Sequence, residues 1–363
     1  MGLSAYEIGI LHDDNIFASR RNTVDDIIIE QSPRIAVKSD FPRHALGLDV
    51  GADLGRYVDR GTEDYDDLHV AANGRLDIQR GSEVSATVQW DRLHDDRSSP
   101  DDVGGLEPTI YRRSDAGLGY RQEFNRVELR VGGLVRHYDF DDASTGAAIV
   151  NNDDRDRMQY RLESHLQYAL VDAFRAFVEG AATRVDYASA RDDNGFDRNS
   201  QGGELYLGVG GDLTGVILGE VMVGRVIRRP DEPRFADISE PAIRARLTWN
   251  VTRLTSVRGE IARDIEETAV NGASAIVATT ASLRVDHELL RNVIVHAGAS
   301  HRDHDFVGIG REDELLAWNL GARYLVNRTM SLGLDYDGLE RDSSQANADF
   351  TRNRVMLRLR LQM

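Results

Sequence analysis

The sequence contains no cysteine among its 363 residues. This absence excludes a disulfide framework, a thiolate metal site and a cysteine nucleophile. The sequence also lacks any run of 18 apolar residues, so no transmembrane helix is expected. Only 41% of the residues are hydrophobic, but this is compatible with membrane-spanning strands, because only alternate residues of such strands face lipid. The composition therefore leaves a chain held together by backbone pairing and packing.

Positive charge is scarce relative to negative charge, and the formal net charge is -17. Phosphate contacts require a basic surface, so no nucleic-acid partner is expected. A secretory signal is also missing, because Met1-Gly2-Leu3-Ser4 leads straight into a strand-like segment. We therefore expect the sequence to be a mature form from which a signal peptide has been removed.

What the sequence does contain is a regular alternation of apolar and polar residues. In the last segment, Leu357, Leu359 and Leu361 alternate with Arg358 and Arg360. A strand with this pattern has one apolar face and one polar face. Similar segments recur along the chain and run for about 10 to 16 residues, whereas a sandwich strand has about 5 or 6. A tilted strand needs about 9 to 11 residues to cross the hydrocarbon of a membrane, so the segment length favours membrane strands.

Turn-forming residues separate these segments by alternately tight and longer connections. Tight connections are predicted at 41–43, 81–82, 124–125, 171–172, 214, 251–252, 290–291 and 327–328. Longer connections, acidic or glycine-containing, are predicted at 13–23, 59–64, 95–107, 141–155, 191–200, 229–237, 267–273, 307–312 and 341–348.

The connections predict an all-β fold, a transmembrane up-and-down antiparallel β-barrel of about 18 strands with short periplasmic turns and acidic extracellular loops. We expect residues 1–363 to form this single outer-membrane barrel domain. Barrels of about 16 to 18 strands leave an aqueous lumen, so the size predicts a channel. No segment is left over to form a plug, and the connection 141–155 is the candidate for an inward-folded constriction.

The residues that alternate with the apolar ones form the second face of each strand. This face is expected to line the lumen and to be rich in charge. The predicted basic residues are Arg34, Arg75, Arg130, Arg161, Arg175, Arg244, Arg246, Arg258, Arg284, Arg323, Arg358 and Arg360. The predicted acidic residues are Glu30, Asp49, Asp53, Asp77, Glu128, Glu163, Glu179, Glu220, Glu260 and Asp335. The guanidinium groups either attract anionic solutes or sugar acids, or pair with these carboxylates into a nearly neutral wall. The sequence leaves both interpretations open.

Metal sites and catalytic groups are not predicted. Acidic clusters such as Asp95-Asp96 and residues 192–197 offer oxygen ligands for Ca²⁺ or Mg²⁺, but their spacing does not match a calcium-binding loop. Solvated turns are the favoured interpretation of these clusters. His301 and His304 are expected on opposite faces of a strand, which opposes joint metal binding. We predict no cofactor, no metal and no catalytic residue.

Four segments carry a resemblance to a known family. They are Asp13-Asp14-Asn15-Ile16-Phe17, Asn250-Val251-Thr252 and residues 285–292 and 349–362. With them the chain resembles, over essentially its whole length, the type-two family of outer-membrane beta-barrel porins. The resemblance implies a large barrel in the outer membrane of a Gram-negative bacterium, connected with exopolysaccharide production and export. It implies no catalytic motif.

The first functional hypothesis is a channel that gives passage to a polar polymer in exopolysaccharide export. Its expected partners are outer-membrane lipid, lipopolysaccharide and periplasmic polysaccharide-export proteins. The second hypothesis is a general diffusion porin for small solutes, which usually folds a long loop into its pore, and no clearly long loop is predicted. Two further hypotheses are a structural barrel and an outer-membrane enzyme, which needs a Ser or Asp beside a His at one rim. We expect no enzyme.

Overall fold

A computed structural model describes residues 2–363, and eighteen long strands in it form one antiparallel sheet. The strands are β1 (Gly2–Asp13), β2 (Asp26–Lys38), β3 (Ala45–Tyr57), β4 (Tyr65–Gln79), β5 (Ser82–His94), β6 (Ile110–Phe124), β7 (Val127–Phe140), the two-residue β8 (Ala143–Ser144) and β9 (Ile149–Val150), β10 (Arg157–Val171), β11 (Phe174–Tyr187), β12 (Ser200–Asp212), β13 (Ile217–Pro230), β14 (Ile238–Trp249), β15 (Thr255–Glu266), β16 (Ala275–Leu290), β17 (Val293–Val307), β18 (Arg311–Leu325), β19 (Met330–Ser343) and β20 (Phe350–Gln362). Two 3₁₀ turns, Gly61–Glu63 and Asp153–Arg155, lie in connections. Within residues 2–363, no helix has the length and apolar character needed to cross a membrane.

The sheet closes on itself. Long strands that follow one another in the chain are neighbours in the sheet, and β7 pairs with β10 across the connection that contains β8 and β9. Residues 5–13 of β1 pair with residues 354–362 of β20. Closure gives every long strand a hydrogen-bonded neighbour on each side, as a membrane-spanning sheet requires. The prediction of an 18-stranded up-and-down antiparallel barrel is confirmed.

The connections fall into two classes, one at each end of the barrel. The short-turn end carries residues 39–44, 80–81, 125–126, 172–173, 213–216, 250–254, 291–292 and 326–329. The long-connection end carries residues 14–25, 58–64, 95–109, 141–156, 188–199, 231–237, 267–274, 308–310 and 344–349. Each predicted connection overlaps an observed one of the same class, so turn-forming residues locate both ends correctly.

The two faces of the wall carry different side chains. On one face, Leu118, Leu162 and Leu357 are 64%, 60% and 56% exposed. On the opposite face, Arg244 of β14 lies 3.2 Å from Glu179 of β11, three strands away in the sheet. Side chains from strands so far apart converge only on the concave side of a closed sheet. The charged face therefore lines the interior, and the apolar face surrounds the barrel.

At the long-connection end, the ends of β15, β16 and β17 bend into the interior. The ladder between β14 and β15 stops at Arg244 and Ala262. Beyond that point, Ile265 and Val277, which have the outward parity of their strands, pack with Ile238 on the inward face of β14. This contact requires the ends of β15 and β16 to lie inside β14. We call residues 263–278 and 304–309 the inward lobe.

Sequence explains where the lobe leaves the wall. Continuing the register of Arg244 and Ala262 would place Pro241 opposite Ile265. Proline has no N–H to donate to a ladder, so pairing is weakened at this point. Between the overlapping layers, Glu240 and Arg263 form an ion pair at 2.9 Å.

The lobe is stabilised by apolar packing on both of its sides. Ile265 also contacts a buried cluster on the inner wall that includes Phe177, Tyr206 and Met222. On the other side of the lobe, Ile276 and Phe306 are buried with neighbours from the 267–274 connection. Burial on both sides explains how residues on an outward parity come to be inside the molecule.

Candidate functional site: a charged lumen with a narrowed mouth

Most of the predicted basic residues of the inner wall pair with carboxylates. The ion pairs are Arg34 with Asp49, Arg75 with Asp77, Arg130 with Glu128, Arg161 with Glu163, Arg244 with Glu179, Arg246 with Glu220 and Glu260, Arg258 and Arg284 with Asp286, Arg358 with Asp335, and Arg360 with Glu7. Among residues 2–363, no carboxylate oxygen lies within 4.0 Å of Arg175 or Arg323. Paired charges therefore cover most of this wall, and two guanidinium groups are left over.

Two predicted acidic residues pair with hydroxyl groups instead of guanidinium groups. Tyr65 donates its hydroxyl proton to Glu30 at 3.2 Å, and Ser32 donates to Asp53 at 2.6 Å. Each carboxylate thereby keeps lone pairs available to water or to a solute in the lumen.

Arg244 is the centre of a dense charge cluster. Its guanidinium group reaches Glu179 at 3.2 Å, Glu204 at 3.1 Å and Asp264 at 2.7 Å, and it lies 4.6 Å from the ring centre of Tyr206. These groups come from strands within the neighbouring set β11 to β15. Because Asp264 belongs to the inward lobe, the cluster ties the lobe to the inner wall.

The β5–β6 connection, residues 95–109, crosses the long-connection end and reaches the inward lobe. Asp101 accepts hydrogen bonds from the Thr268 hydroxyl at 2.7 Å and from the Ala269 N–H at 3.0 Å. Since β5 and β15 lie eight strands apart in a closed sheet of 18 strands, they stand nearly opposite each other. The connection and the lobe together narrow the mouth of the barrel.

The crossing segment is not the connection expected from the sequence, 141–155. Residues 141–156 instead support the crossing connection from one side. The Leu106 N–H donates to the Ser144 carbonyl at 2.7 Å, and Arg155 pairs with Asp95 at 2.7 Å. The sequence did not distinguish the two because both are acidic and similar in length.

Three buried arginines hold the crossing connection in place. Arg97 pairs with Glu63 of the β3–β4 connection at 2.8 Å, and both side chains are almost fully buried. Arg352 of β20 pairs with Asp96 at 3.2 Å, and the Arg341 guanidinium donates to the Ser98 carbonyl at 2.9 Å. A charge pair removed from water is costly to break, so the Arg97–Glu63 pair in particular fixes the connection firmly.

The pKa values of two acidic residues in this connection shift in opposite directions. Burial alone would raise the pKa of Asp96, but the charge of Arg352 and hydrogen bonds from Ser98 outweigh it and hold that pKa well below its usual value. Burial raises the pKa of Asp102, and the nearby charge of Arg97 only partly opposes this effect. Asp96 therefore remains a charged anchor over the whole neutral and mildly acidic range.

A second connection supports the lobe from the opposite side. The buried guanidinium group of Arg198, in the β11–β12 connection, donates to the carbonyl oxygens of Thr268, Val270 and Ala273. Its charge is balanced by Asp192 at 2.7 Å. The β5–β6 and β11–β12 connections thus both contact residues 267–274, which form the β15–β16 connection.

Histidines of the inner wall lie beside carboxylates. His69 and Asp91 are 2.6 Å apart, and His94 and Asp67 are 3.0 Å apart. Within residues 2–363, no serine hydroxyl hydrogen-bonds a histidine, so no Ser-His-acid arrangement is formed. The Thr255 hydroxyl lies 2.9 Å from His287, in a pair without a carboxylate.

The acidic clusters act locally as turn-forming groups. Asp192 accepts backbone N–H bonds from Asn194 and Phe196, and Asp96 accepts one from Ser98. In the described part of the chain, no three His, Asp or Glu side chains are arranged to hold a metal ion.

The candidate histidine pair is separated by the wall. His301 has the outward parity of β17, whereas His304 is buried on the inner side of the inward lobe. The expected opposite orientation of these two residues is thus observed.

Several residues of the site were not among the predicted ones. Glu204 and Asp264 lie on the inner parity, so the alternation that selected Arg244 would also have selected them. Asp101 and Thr268 meet through connections, whose path no periodic pattern encodes.

Comparison with known proteins decides the family. A family model described as "Putative beta-barrel porin 2" matches residues 3–363. The chain belongs to this family. This porin is accordingly a channel-type β-barrel of the outer membrane of a Gram-negative bacterium, with the short turns on the periplasmic side and the long connections on the extracellular side. No curated protein has a sequence that matches that of the porin.

Solved structures with the same fold come from Pseudomonas aeruginosa. OpdK in complex with vanillate is 14% identical to the porin, with a TM-score of 0.53, and the match covers 100% of this chain and 99% of OpdK. OccK2 (OpdF) in complex with glucuronate is 13% identical, with a TM-score of 0.53 and coverage of 100% and 98%. OccK3 (OpdO) is 15% identical, with a TM-score of 0.51 and coverage of 100% and 96%. At these identities, the likeness describes the fold alone.

Proposed function

We propose that this porin is a constricted channel through which small polar organic solutes cross the outer membrane. The observation that carries the proposal is the crossing β5–β6 connection, which Asp101 joins to Thr268 and Ala269 at the extracellular mouth. A passage narrowed in this way admits small solutes more readily than a polymer chain. The charged inner wall offers them hydrogen-bond donors and acceptors in place of water.

The fold neighbours support the same size class of solute. OpdK was solved with vanillate and OccK2 with glucuronate, and both ligands are small organic molecules. General diffusion and selective passage are the two forms of this function. The guanidinium groups of Arg175 and Arg323, which have no carboxylate partner within residues 2–363, favour selectivity for anionic solutes.

Export of a polar polymer, namely an exopolysaccharide handed over by periplasmic export proteins, is the second candidate. The observation that favours it is the continuous polar inner wall of an 18-stranded barrel, a size that leaves an aqueous lumen. Passage of a chain would require the β5–β6 connection to leave the inward lobe, so this function implies an opening movement.

Permeation into liposomes tests the proposal. Purified porin is reconstituted, and swelling rates are measured with a hexose, a disaccharide, a tetrasaccharide and a dextran. We expect the hexose to enter fastest and the tetrasaccharide at least about tenfold more slowly, because passage is limited by the constriction. Entry of dextran at a rate close to that of the hexose would contradict the proposal and favour polymer export. Deleting the gene and measuring secreted polysaccharide tests export separately.

A further inference from the structure

A depression in the inner wall lies in the periplasmic half of the lumen, away from the constriction. It is formed by β16 to β20 with Glu7 of β1, and its volume is about 380 Å³. This volume lies within the range of about 300–1,000 Å³ that is typical of small-molecule sites. Charged and amide side chains supply most of its lining, and Ile294 is its main apolar group.

Glycines make the depression. Gly298, Gly321 and Gly333 lie on the inner parity of β17, β18 and β19, where other residues would project a side chain into the lumen. Asn319 lies beside Gly298, while His296 and Asp335 meet over Gly321 at 3.3 Å. Neighbouring side chains thus lie flat against the wall instead of standing up from it.

Three arginines surround Gly333. Arg323 and Arg358 are the register partners of this glycine on β18 and β20, and the Arg358 side chain lies over it. Arg360 is opposite Ser331, two residues before Gly333 on β19. Arg358 pairs with Glu7 at 3.2 Å and with Asp335 at 2.9 Å, whereas Arg360 reaches Glu7 only at 4.0 Å. These three guanidinium groups share two carboxylates, and Arg323 has no carboxylate within 4.0 Å in residues 2–363. A local excess of positive charge therefore lies at one end of the depression.

The other end carries amide and acidic groups together with Arg284, whose charge is balanced by Asp286 at 3.0 Å. Asn319 and Asp337 line it, and the Asn319 side-chain oxygen has no hydrogen-bond partner within residues 2–363. An amide and a carboxylate close together bind hydroxyl groups well, because they offer both donors and acceptors. An occupant that satisfies both ends has an anionic group at one end and several hydroxyl groups at the other.

We propose that this depression is a binding subsite for a monomeric sugar acid, with the carboxylate at Arg323 and the hydroxyl groups toward Asn319 and Asp337. A planar carboxylate accepts two parallel N–H bonds from a guanidinium group, which the free Arg323 can supply. The inference rests on the proposed channel function, because solute must enter the lumen to reach the subsite. It adds to that function a place where one solute class pauses during passage.

Current recordings on the intact porin in planar bilayers test the subsite. Glucuronate is the probe, glucose is the uncharged comparison, and Arg323→Gln is the test variant. We expect glucuronate to interrupt the wild-type current, glucose to do so only weakly, and Arg323→Gln to weaken the glucuronate effect about tenfold, as loss of a charge-assisted pair predicts. The matched control is Arg175→Gln, because Arg175 is also an inner-wall arginine without a carboxylate partner in residues 2–363 and lies outside the depression.

Each result then decides the inference. Equal glucuronate block in wild type and Arg323→Gln, or equal loss in Arg175→Gln, would overturn it, since the effect would then come from general lumen charge.

Gly333→Val provides a second test by filling the depression, because a Cβ at this position meets the Arg358 side chain at 2.7 Å. Its control is Gly132→Val on the opposite wall. Heat-modifiable migration confirms that each variant is folded. A wild type that conducts but is not blocked by glucuronate refutes the subsite alone, whereas failure to conduct refutes the channel function.

Discussion

Two arginines of β14 show how position on the wall determines the role of a charge. The side chain of Arg244 is 21% exposed and contacts Glu179, Glu204 and Asp264. The side chain of Arg246, two residues further along, is 63% exposed and pairs with Glu220 and Glu260. Half-buried carboxylates that lose their cation repel one another in a medium of reduced dielectric constant, whereas exposed pairs are screened by water. Arg244 is therefore a structural residue, and Arg246 belongs to the solvent-facing lumen.

Substituting these two arginines separates the roles. We expect Arg244→Met to lower the free energy of unfolding by about 2 kcal/mol, because three carboxylates lose a shared partner. Arg246→Met is the matched control, and we expect its effect to stay below about 0.5 kcal/mol, as for exposed ion pairs. Urea titration of the porin in lipid vesicles, followed by tryptophan fluorescence, measures both values. Equal effects of the two substitutions would show that Arg244 does not hold the wall together.

At the scale of elements, alternation and turn chemistry predict the strands well but do not predict where a strand leaves the wall. Each of the 18 strands is visible in the sequence because its two faces meet different surroundings, lipid outside and water inside. Ile265 and Val277 obey the same alternation, yet they are buried inside the mouth. Pro241 marks the place, but a proline in a strand is also compatible with a simple ladder defect. The lobe therefore depends on packing between distant strands, which a local pattern does not encode.

The candidate site also contains residues that the sequence predicts and contacts that it does not predict. The inner-wall residues follow from parity, including the Arg284, Arg323, Arg358 and Asp335 that the depression brings together. The contacts of the mouth do not follow from it, because Asp101 and Thr268 are 167 residues apart and lie in connections. Irregular backbone takes its path from the contacts it makes after folding.

The Asp96–Arg352 anchor gives the mouth a defined response to pH. The pKa of Asp96 in the closed mouth is lower than its usual value of 3.8. The anchor therefore stabilises closure at every pH above that value and is lost only as the pH falls through the lowered pKa. We expect the single-channel conductance to stay constant from about pH 7 to pH 4 and to rise below that range.

Arg352→Gln tests the origin of this response. Without the guanidinium charge, the pKa of Asp96 rises, and the increase in conductance should begin at a higher pH than in the wild type. A wild-type increase at about pH 6 would instead indicate that protonation of Asp96 does not control the mouth.

At the scale of the whole molecule, the barrel combines a rigid wall with a narrowed entrance. The first and last strands close the sheet, ion pairs cover most of the inner wall, and three connections meet at the inward lobe. The wall sets the chemistry of passage, and the β5–β6 connection sets its width. Passage through the lumen therefore depends most on the width set by this connection.

Single-channel conductance of a connection-deletion variant tests that dependence most directly. In the variant, residues 97–105 are replaced by two glycines, which removes the contacts of Arg97 and Asp101 but leaves all 18 strands intact. We predict that its conductance exceeds that of the wild type by at least about twofold, because an 18-stranded barrel without a constriction has a wide aqueous lumen. An unchanged conductance in a correctly folded variant would show that the β5–β6 connection does not limit the passage, and it would contradict the proposal of a constricted channel.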